Sequence, residues 1–281
     1  AASSTAELKR FQAAGIDEVL SKPLSMEVLR AGLTRWFGYT AATPSRLHAR
    51  EAVPSAGSSV SYAPLDLNYL YNILGQVNLV QARILLDTFM RTADEGLLAL
   101  STQMDNAAAV AKEMHKQKSS ARTVGALHYA NLAATLEKQT RDENFSGIAA
   151  ALAALREALG QVEAASANLL EAPRPPRAVV ASEARLASVS CHSALVVDDD
   201  LVVLQQVRTM LGALGVREVL TATNGLEASR VLAARGGEIE VLVCDLSMPE
   251  MDGVELIRGF GKTGFKGGLI LISGADEKII S

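Results

Sequence analysis

The sequence has little of several residue types, and each shortage excludes a class of protein. Only two cysteines occur among 281 residues, too few for a disulfide framework or a zinc-ligand pattern, so a reducing, cytoplasmic compartment is expected. Acidic residues outnumber basic ones, 31 against 27, which gives no basic surface for nucleic acid or an anionic membrane. No apolar run approaches the roughly 18 residues of a membrane span, so direct membrane contact is not predicted, although a membrane-anchored parent protein is compatible with this.

Hydrophobic residues are plentiful, at 49% of the chain, but only 4% of residues are aromatic. This composition favours helices that pack through small side chains, and the length suggests about two domains. Two segments rich in proline and small residues, 38–64 and 172–193, are predicted linkers. They divide the chain into pieces 1–37, 65–171 and 194–281. The chain does not begin with Met, and we expect it to be a piece of a longer protein.

The middle and last pieces have different hydrophobic patterns. The middle piece contains four helical runs, near 64–74, 79–103, 107–138 and 145–170, and this predicts an all-α four-helix bundle. The last piece alternates short apolar strands, such as "ALVV" and "VLVC", with helical stretches at about 201–214, 225–235 and 253–262. That alternation predicts an α/β fold with a doubly wound parallel sheet.

One histidine lies on the polar side of the third helical run. A step of 100° per residue places Met114, Gln117 and His128 on the buried stripe, His115 on the solvent flank, and Lys118 at the boundary beside it. A neutral imidazole in that position can attack an electrophile, and Lys118 could stabilise the anionic group being moved. A merely solvated histidine is the alternative from this pattern alone.

This stretch resembles the histidine-phosphotransfer (HPt) domain, whose signature is His-x-x-Lys-Gly-Ser, a small residue and a later glycine. Five positions match: His115, Lys118, Ser120, Ala121 and Gly125. Ser119 and Gln117 stand where the family usually has glycine and leucine. The resemblance covers residues 65–171 and implies a bundle in which His115 carries a phosphoryl group.

Carboxylates follow two predicted strands of the last piece. "ALVVDDD" places Asp198, Asp199 and Asp200 after one strand, and Asp245 ends another. Because the carboxyl ends of parallel strands meet at one edge of a sheet, these groups should converge. Their mutual repulsion is best relieved by a hard divalent cation, of which Mg²⁺ fits best. One carboxylate could then attack phosphorus in line, and the hydroxyl of Ser273, at the end of "LILIS", could bond a phosphoryl oxygen.

Residues 194–281 resemble a response-regulator receiver domain, which has a flavodoxin-like fold. The resemblance implies Asp245 as the phosphoryl acceptor and Mg²⁺ held by Asp198, Asp199, Asp245 and the carbonyl of Ser247. It also implies that Ser273 couples phosphorylation to a change at the surface. The final strand, its Lys-Pro and the last helix of a receiver are absent from this piece.

Residues 1–37 are similar to that missing end of a receiver, with a strand "IDEVL" followed by Lys22-Pro23 and an amphipathic helix. Lys22 would be the lysine that contacts the phosphoryl group. The spacing implies that residues 274–281 duplicate the part covered by 1–8, which favours two different receivers, each truncated. Assembly of the two halves within one molecule, or self-association between two, is also consistent with their apolar edges.

The sequence therefore predicts a phosphorelay segment of a hybrid sensor histidine kinase, in which phosphate passes between His115 and Asp245. Its expected partners are receiver and histidine kinase domains of a two-component pathway. No ATP-binding kinase domain is recognisable, so whether the chain is itself an enzyme stays open. One alternative is a phosphatase of the haloacid-dehalogenase type that uses Asp198 and Asp200. The other is a pseudo-receiver scaffold without chemistry.

Overall fold

The computed structural model describes residues 16–36, 63–74, 79–104, 106–142, 147–167, 191–260 and 263–274. Most of both predicted linkers, the first 15 residues and the last seven lie outside these ranges. In chain order the elements are β1 (Glu18–Lys22), α1 (Met26–Trp36), α2 (Leu67–Leu74), α3 (Leu79–Ser101), α4 (Ala107–Thr123), α5 (Leu127–Arg141), α6 (Ile148–Ala167), β2 (Ser193–Val197), α7 (Leu201–Ala213), β3 (Glu218–Ala222), α8 (Gly225–Arg235), β4 (Val241–Asp245), α9 (Gly253–Arg258) and β5 (Gly268–Gly274).

A five-stranded parallel sheet forms the α/β part of the molecule, with the strand order β1-β5-β4-β2-β3. Every residue of β2 and β4 is buried, as expected for central strands covered on both faces. This confirms the doubly wound fold. All five strands end at the same edge, which is where the predicted carboxylates lie.

The first strand of the chain completes the sheet that the last strands begin. β1 pairs in parallel with β5, with Leu20 opposite Ile272 and Lys22 opposite Gly274. The backbone oxygen of Leu24, just after β1, accepts a hydrogen bond of 2.8 Å from the buried Gln206 side chain of α7. The expectation that the two end pieces can assemble is confirmed, and here they do so within one chain. Their origin in two different receivers remains a prediction.

The helical part is a bundle in which α3, α4, α5 and α6 surround a core of leucine, alanine and a few larger side chains. Phe89 and Tyr129 meet edge to face at its centre, with ring centroids 5.3 Å apart. Its apolar core is continuous with the face of the sheet that α7 covers. The short helix α2 precedes the bundle.

The predicted third helical run is two helices, α4 and α5, so the single run over 107–138 is wrong. The chain turns at Gly125, whose φ is +78°. Val124 and Ala126 are buried and continue the apolar pattern through the turn, which explains why periodicity alone missed it. The turn also shifts the helical phase, so His128 is half-buried rather than a core residue.

Gly125→Ala should destabilise the bundle by about 1–3 kcal/mol, because the φ is unfavourable for alanine. An added Cβ would also lie 2.6 Å from the backbone oxygen of Asp66. Gly160→Ala is the matched control: an added Cβ at this helical position would meet no atom beyond its own stretch of helix within 4 Å, and the change should stabilise by about 0.5–1 kcal/mol. Urea unfolding of both variants measures the difference. Equal effects would contradict a strained turn at Gly125.

Within the described residues, no helix combines the length and apolar character needed to cross a membrane.

Candidate functional site

Three carboxylates gather at the edge of the sheet where β2 and β4 end. Oxygens of Asp198, Asp199 and Asp245 lie within 4.8 Å of one another. Asp198 and Asp245 are buried and Asp199 is half-buried. The sequence prediction that these three side chains converge is met. Ser247 is exposed in the loop after β4, and the ligand role of its carbonyl remains a prediction.

Lys22 bridges two of these carboxylates from the other end of the chain. Its Nζ lies 2.9 Å from Asp198 Oδ2 and 3.0 Å from Asp245 Oδ1. Burial alone would lower the pKa of Lys22, but the charges of Asp198 and Asp245 outweigh it and raise the pKa above its ordinary value. The ammonium therefore stays protonated. The register of β1 on β5 brings it there, since Lys22 ends β1 beside Ser273 and Gly274.

Lys22 pairs with two of the clustered carboxylates, Asp198 and Asp245, and Asp199 completes the cluster. Burial and the neighbouring Asp198 raise the pKa of Asp199 above its ordinary value, despite the positive charges of Lys116 and Lys22. A compact set of carboxylate oxygens suits Mg²⁺. The residues present therefore fit that ion. Ser273 lies one residue before the end of β5 and is buried.

His115 projects from α4 towards a carboxylate of α5 rather than fully into solvent. Its side chain is 27% exposed, and Nδ1 lies 2.8 Å from Glu137 Oε1. A carboxylate acceptor holds the imidazole proton on Nδ1, which leaves the lone pair on Nε2. The predicted solvent-exposed position is thus half-buried and oriented by a partner that the sequence analysis did not identify.

Glu137 gathers three cationic or donor side chains. Besides His115, it pairs with Lys118 Nζ at 2.9 Å and Arg141 at 2.6 Å. Burial alone would raise the pKa of Glu137, but the hydrogen bonds from His115 and Lys118 lower it to about 2. The carboxylate is therefore ionised at neutral pH. Lys118, predicted at a boundary, is buried beside it.

Gln117, which replaces the usual leucine of the motif, is buried in a polar network. Its side-chain nitrogen donates to the Ala93 carbonyl at 3.2 Å and to Glu113 at 2.7 Å, and its oxygen accepts from Tyr129. All its hydrogen-bonding groups that face the core are thus satisfied. Gly96 leaves the space for this network, since a Cβ there would collide with Glu113.

The bundle and the sheet meet where α3 and α4 pack against α7. Ser120 of α4 donates a hydrogen bond of 2.6 Å to Asp200 Oδ2, and both residues are buried. The other oxygen of Asp200 caps α7 by accepting from Val202 N at 2.9 Å. Asp200, the third carboxylate of "ALVVDDD", therefore links the two parts of the molecule.

Family models match both parts of the chain. The Hpt domain model matches residues 84–165, and the model described as "Response regulator receiver domain" matches residues 194–280. The chain contains an Hpt domain and a receiver domain. These are the two domain types of phosphorelay signal transduction, as the motifs around His115 and Asp245 predicted. The receiver sheet is completed by β1, which lies outside the receiver match.

Curated relatives resemble parts of the chain. The sensor kinase CckA of Brucella abortus is 40% identical over 83 residues, which are 30% of this chain and 9% of that protein. The chemotaxis protein CheY1 of Helicobacter pylori (strain 26695) is 39% identical over 64 residues, 23% of this chain and 51% of that protein. The chain thus spans a small part of the kinase and about half of the chemotaxis protein. No solved structure matches significantly.

The arrangement disfavours the two alternatives to a phosphorelay. A dehalogenase-type phosphatase would use Asp200 together with Asp198, but both oxygens of Asp200 already accept hydrogen bonds, from Val202 N and from the Ser120 hydroxyl. A scaffold without chemistry would not need an assembled acidic site, whereas here Lys22 reaches Asp198 and Asp245. Receiver domains generally bind Mg²⁺ at this acidic pocket.

Proposed function

We propose that the chain transfers a phosphoryl group between Asp245 of the receiver and His115 of the HPt bundle. The observation that carries this proposal is the pair of prepared groups in one chain: an imidazole oriented by Glu137 and an acidic cluster bridged by Lys22. The wider proposal is a segment of a hybrid sensor kinase, with receiver and histidine kinase domains of a two-component pathway as partners.

In the step towards the bundle, Nε2 of His115 supplies the electron pair of the new N–P bond. The bond between phosphorus and the Asp245 oxygen breaks, and its electrons return to the carboxylate. The imidazole keeps its proton on Nδ1 and gains positive charge, which the ionised Glu137 stabilises. The reverse step uses the same groups in the opposite order.

On the receiver side, Asp198, Asp199, Asp245 and the Ser247 carbonyl would hold Mg²⁺, which supplies charge stabilisation to the phosphoryl oxygens when bound. Lys22 offsets negative charge at Asp245, and the Ser273 hydroxyl would bond a phosphoryl oxygen. Lys118 assists the bundle side, where its ammonium shares Glu137 with His115. Each of these roles is electrostatic, so each should be worth a few kcal/mol at most.

Mass-spectrometric mapping tests the proposal directly. The chain is loaded with acetyl phosphate and Mg²⁺, and its phosphate is sorted by chemistry: phosphohistidine is acid-labile, whereas acyl phosphate is labile to hydroxylamine. We expect acyl phosphate at Asp245 first and acid-labile phosphate at His115 afterwards. Phosphate at Asp198 instead would favour the phosphatase alternative, and no phosphate at either aspartate would favour the scaffold.

Glu137→Gln should slow transfer to His115 by about tenfold, because the amide is uncharged and no longer stabilises the imidazolium. It should also lower the free energy of unfolding by about 1–3 kcal/mol, since Lys118 is left buried beside a neutral group. Rapid-quench measurement of phosphohistidine formation gives the rate. The exposed Glu157 of α6 supplies the control, Glu157→Gln. A normal transfer rate in Glu137→Gln would show that Glu137 contributes to stability but not to phosphoryl transfer.

A further inference from the structure

Three residues of α4 form a stripe on the side of the helix near the receiver. Lys112, Lys116 and Ser120 are spaced four residues apart, which places them on neighbouring turns of one helix flank. Ser120 reaches Asp200 in the buried seam with α7. Lys116 and Lys112 precede Ser120 on the same flank, and their positive charges act on Asp199 of the acidic cluster. The stripe therefore faces the acidic edge of the receiver.

The hydrogen bond between Ser120 and Asp200 is a polar contact that fixes the position of α4 relative to α7. A serine hydroxyl has one proton, and its two acceptors here are Asp200 Oδ2 at 2.6 Å and the Lys116 carbonyl at 3.2 Å. The shorter contact to an ionisable carboxyl takes the proton. When the bundle leaves the receiver, the hydroxyl can turn to the Lys116 carbonyl of its own helix. Separation therefore leaves Ser120 satisfied, and the contact is reversible.

We propose that Ser120 and Asp200 form a polar latch that holds the bundle on its own receiver in one orientation, with Ser120 as a positioning residue for transfer within a chain. This rests on the proposed function, and it adds that the bundle exchanges phosphate with the receiver of its own chain. The apolar part of the seam includes Leu201 and Leu204 of α7. Hydrophobic contact there stabilises the association of the bundle with the receiver, but it does not specify one relative orientation. The buried hydrogen bond supplies direction because it forms over a narrow range of distances and angles.

Ser120→Ala tests the latch, and Ser119→Ala is its matched control. The two serines are adjacent on α4, but Ser119 is half-buried and only Ser120 bonds Asp200. Both variants keep a good helix former in place. After Asp245 is loaded with acetyl phosphate, the rate of transfer to His115 should fall about tenfold in Ser120→Ala, the value of one charge-assisted hydrogen bond. The rate should not change in Ser119→Ala.

A double-mutant cycle separates the latch from a general loss of structure. Asp200→Ser keeps an oxygen that can cap α7 but is too short to reach Ser120. If the two residues act through their contact, the double variant should be about as slow as either single variant. Multiplied effects of about 100-fold would show independent roles and overturn the latch.

Hydrogen exchange and the concentration dependence of transfer test the latch independently of the mutant rates. Hydrogen exchange should become faster in both 107–123 and 201–213 of Ser120→Ala, because opening of the seam exposes both helices. The transfer rate should also be independent of protein concentration in the unaltered chain. A wild-type rate in Ser120→Ala, or transfer that rises with concentration, would overturn the latch while leaving the proposed function intact. No transfer in the unaltered chain would overturn both.

Discussion

Replacing His115 by glutamine should abolish the appearance of acid-labile phosphate on the bundle, a loss of at least about 1000-fold. The amide of glutamine is not nucleophilic enough to form the N–P bond, so the variant has no phosphoryl acceptor at this position. Its side chain can still donate a hydrogen bond to Glu137, and His115 is only half-buried. The melting temperature should therefore change little.

Asp245 is first loaded with phosphate, and the loss of acyl phosphate is then followed over time in the unaltered chain and in His115→Gln. His128→Gln is the matched control, because His128 is also half-buried, and the phosphoryl chemistry should be normal there. A large drop in melting temperature for His115→Gln would instead indicate a packing role. Phosphohistidine that persists in His115→Gln would place the acceptor at another histidine.

Replacing Lys22 by alanine should reduce loading of Asp245 by about 100-fold, the effect expected when one preorganised charge is removed from a phosphoryl site. The same change leaves Asp198 and Asp245 buried without their ammonium partner. In the absence of Mg²⁺ the variant should lose about 3 kcal/mol of stability. Added Mg²⁺ should raise its melting temperature more than that of the unaltered chain, since the ion then supplies the missing positive charge.

Lys266→Ala is the control for Lys22, because Lys266 is an exposed lysine shortly before β5. Loading with acetyl phosphate and melting with and without Mg²⁺ are measured for both variants. If Lys22→Ala is loaded at the normal rate, then the first segment of the chain supplies a strand to the receiver but no part of its chemistry.

The sequence by itself determined the local features of this protein. Each of these features belongs to one short segment: the carboxylates after "ALVV" and "VLVC", the His-x-x-Lys spacing of His115 and Lys118, and the Lys-Pro after "IDEVL". Parallel strands must end at a common edge, so the meeting of Asp198, Asp199 and Asp245 followed from topology alone. The sequence pattern missed the helix boundary at Gly125, because apolar residues continue through that turn.

The tertiary structure alone decided which other distant groups meet. Glu137 is 22 residues from His115, and α4 and α5 had to be two helices before that carboxylate could face the imidazole. Ser120 and Asp200 are 80 residues apart and meet only because α4 packs on α7. Lys22 reaches Asp245 because an unpaired edge of β5 accepts β1. Such contacts depend on how the helices and strands pack and on which buried polar groups need partners. The periodicity of a single segment does not predict either.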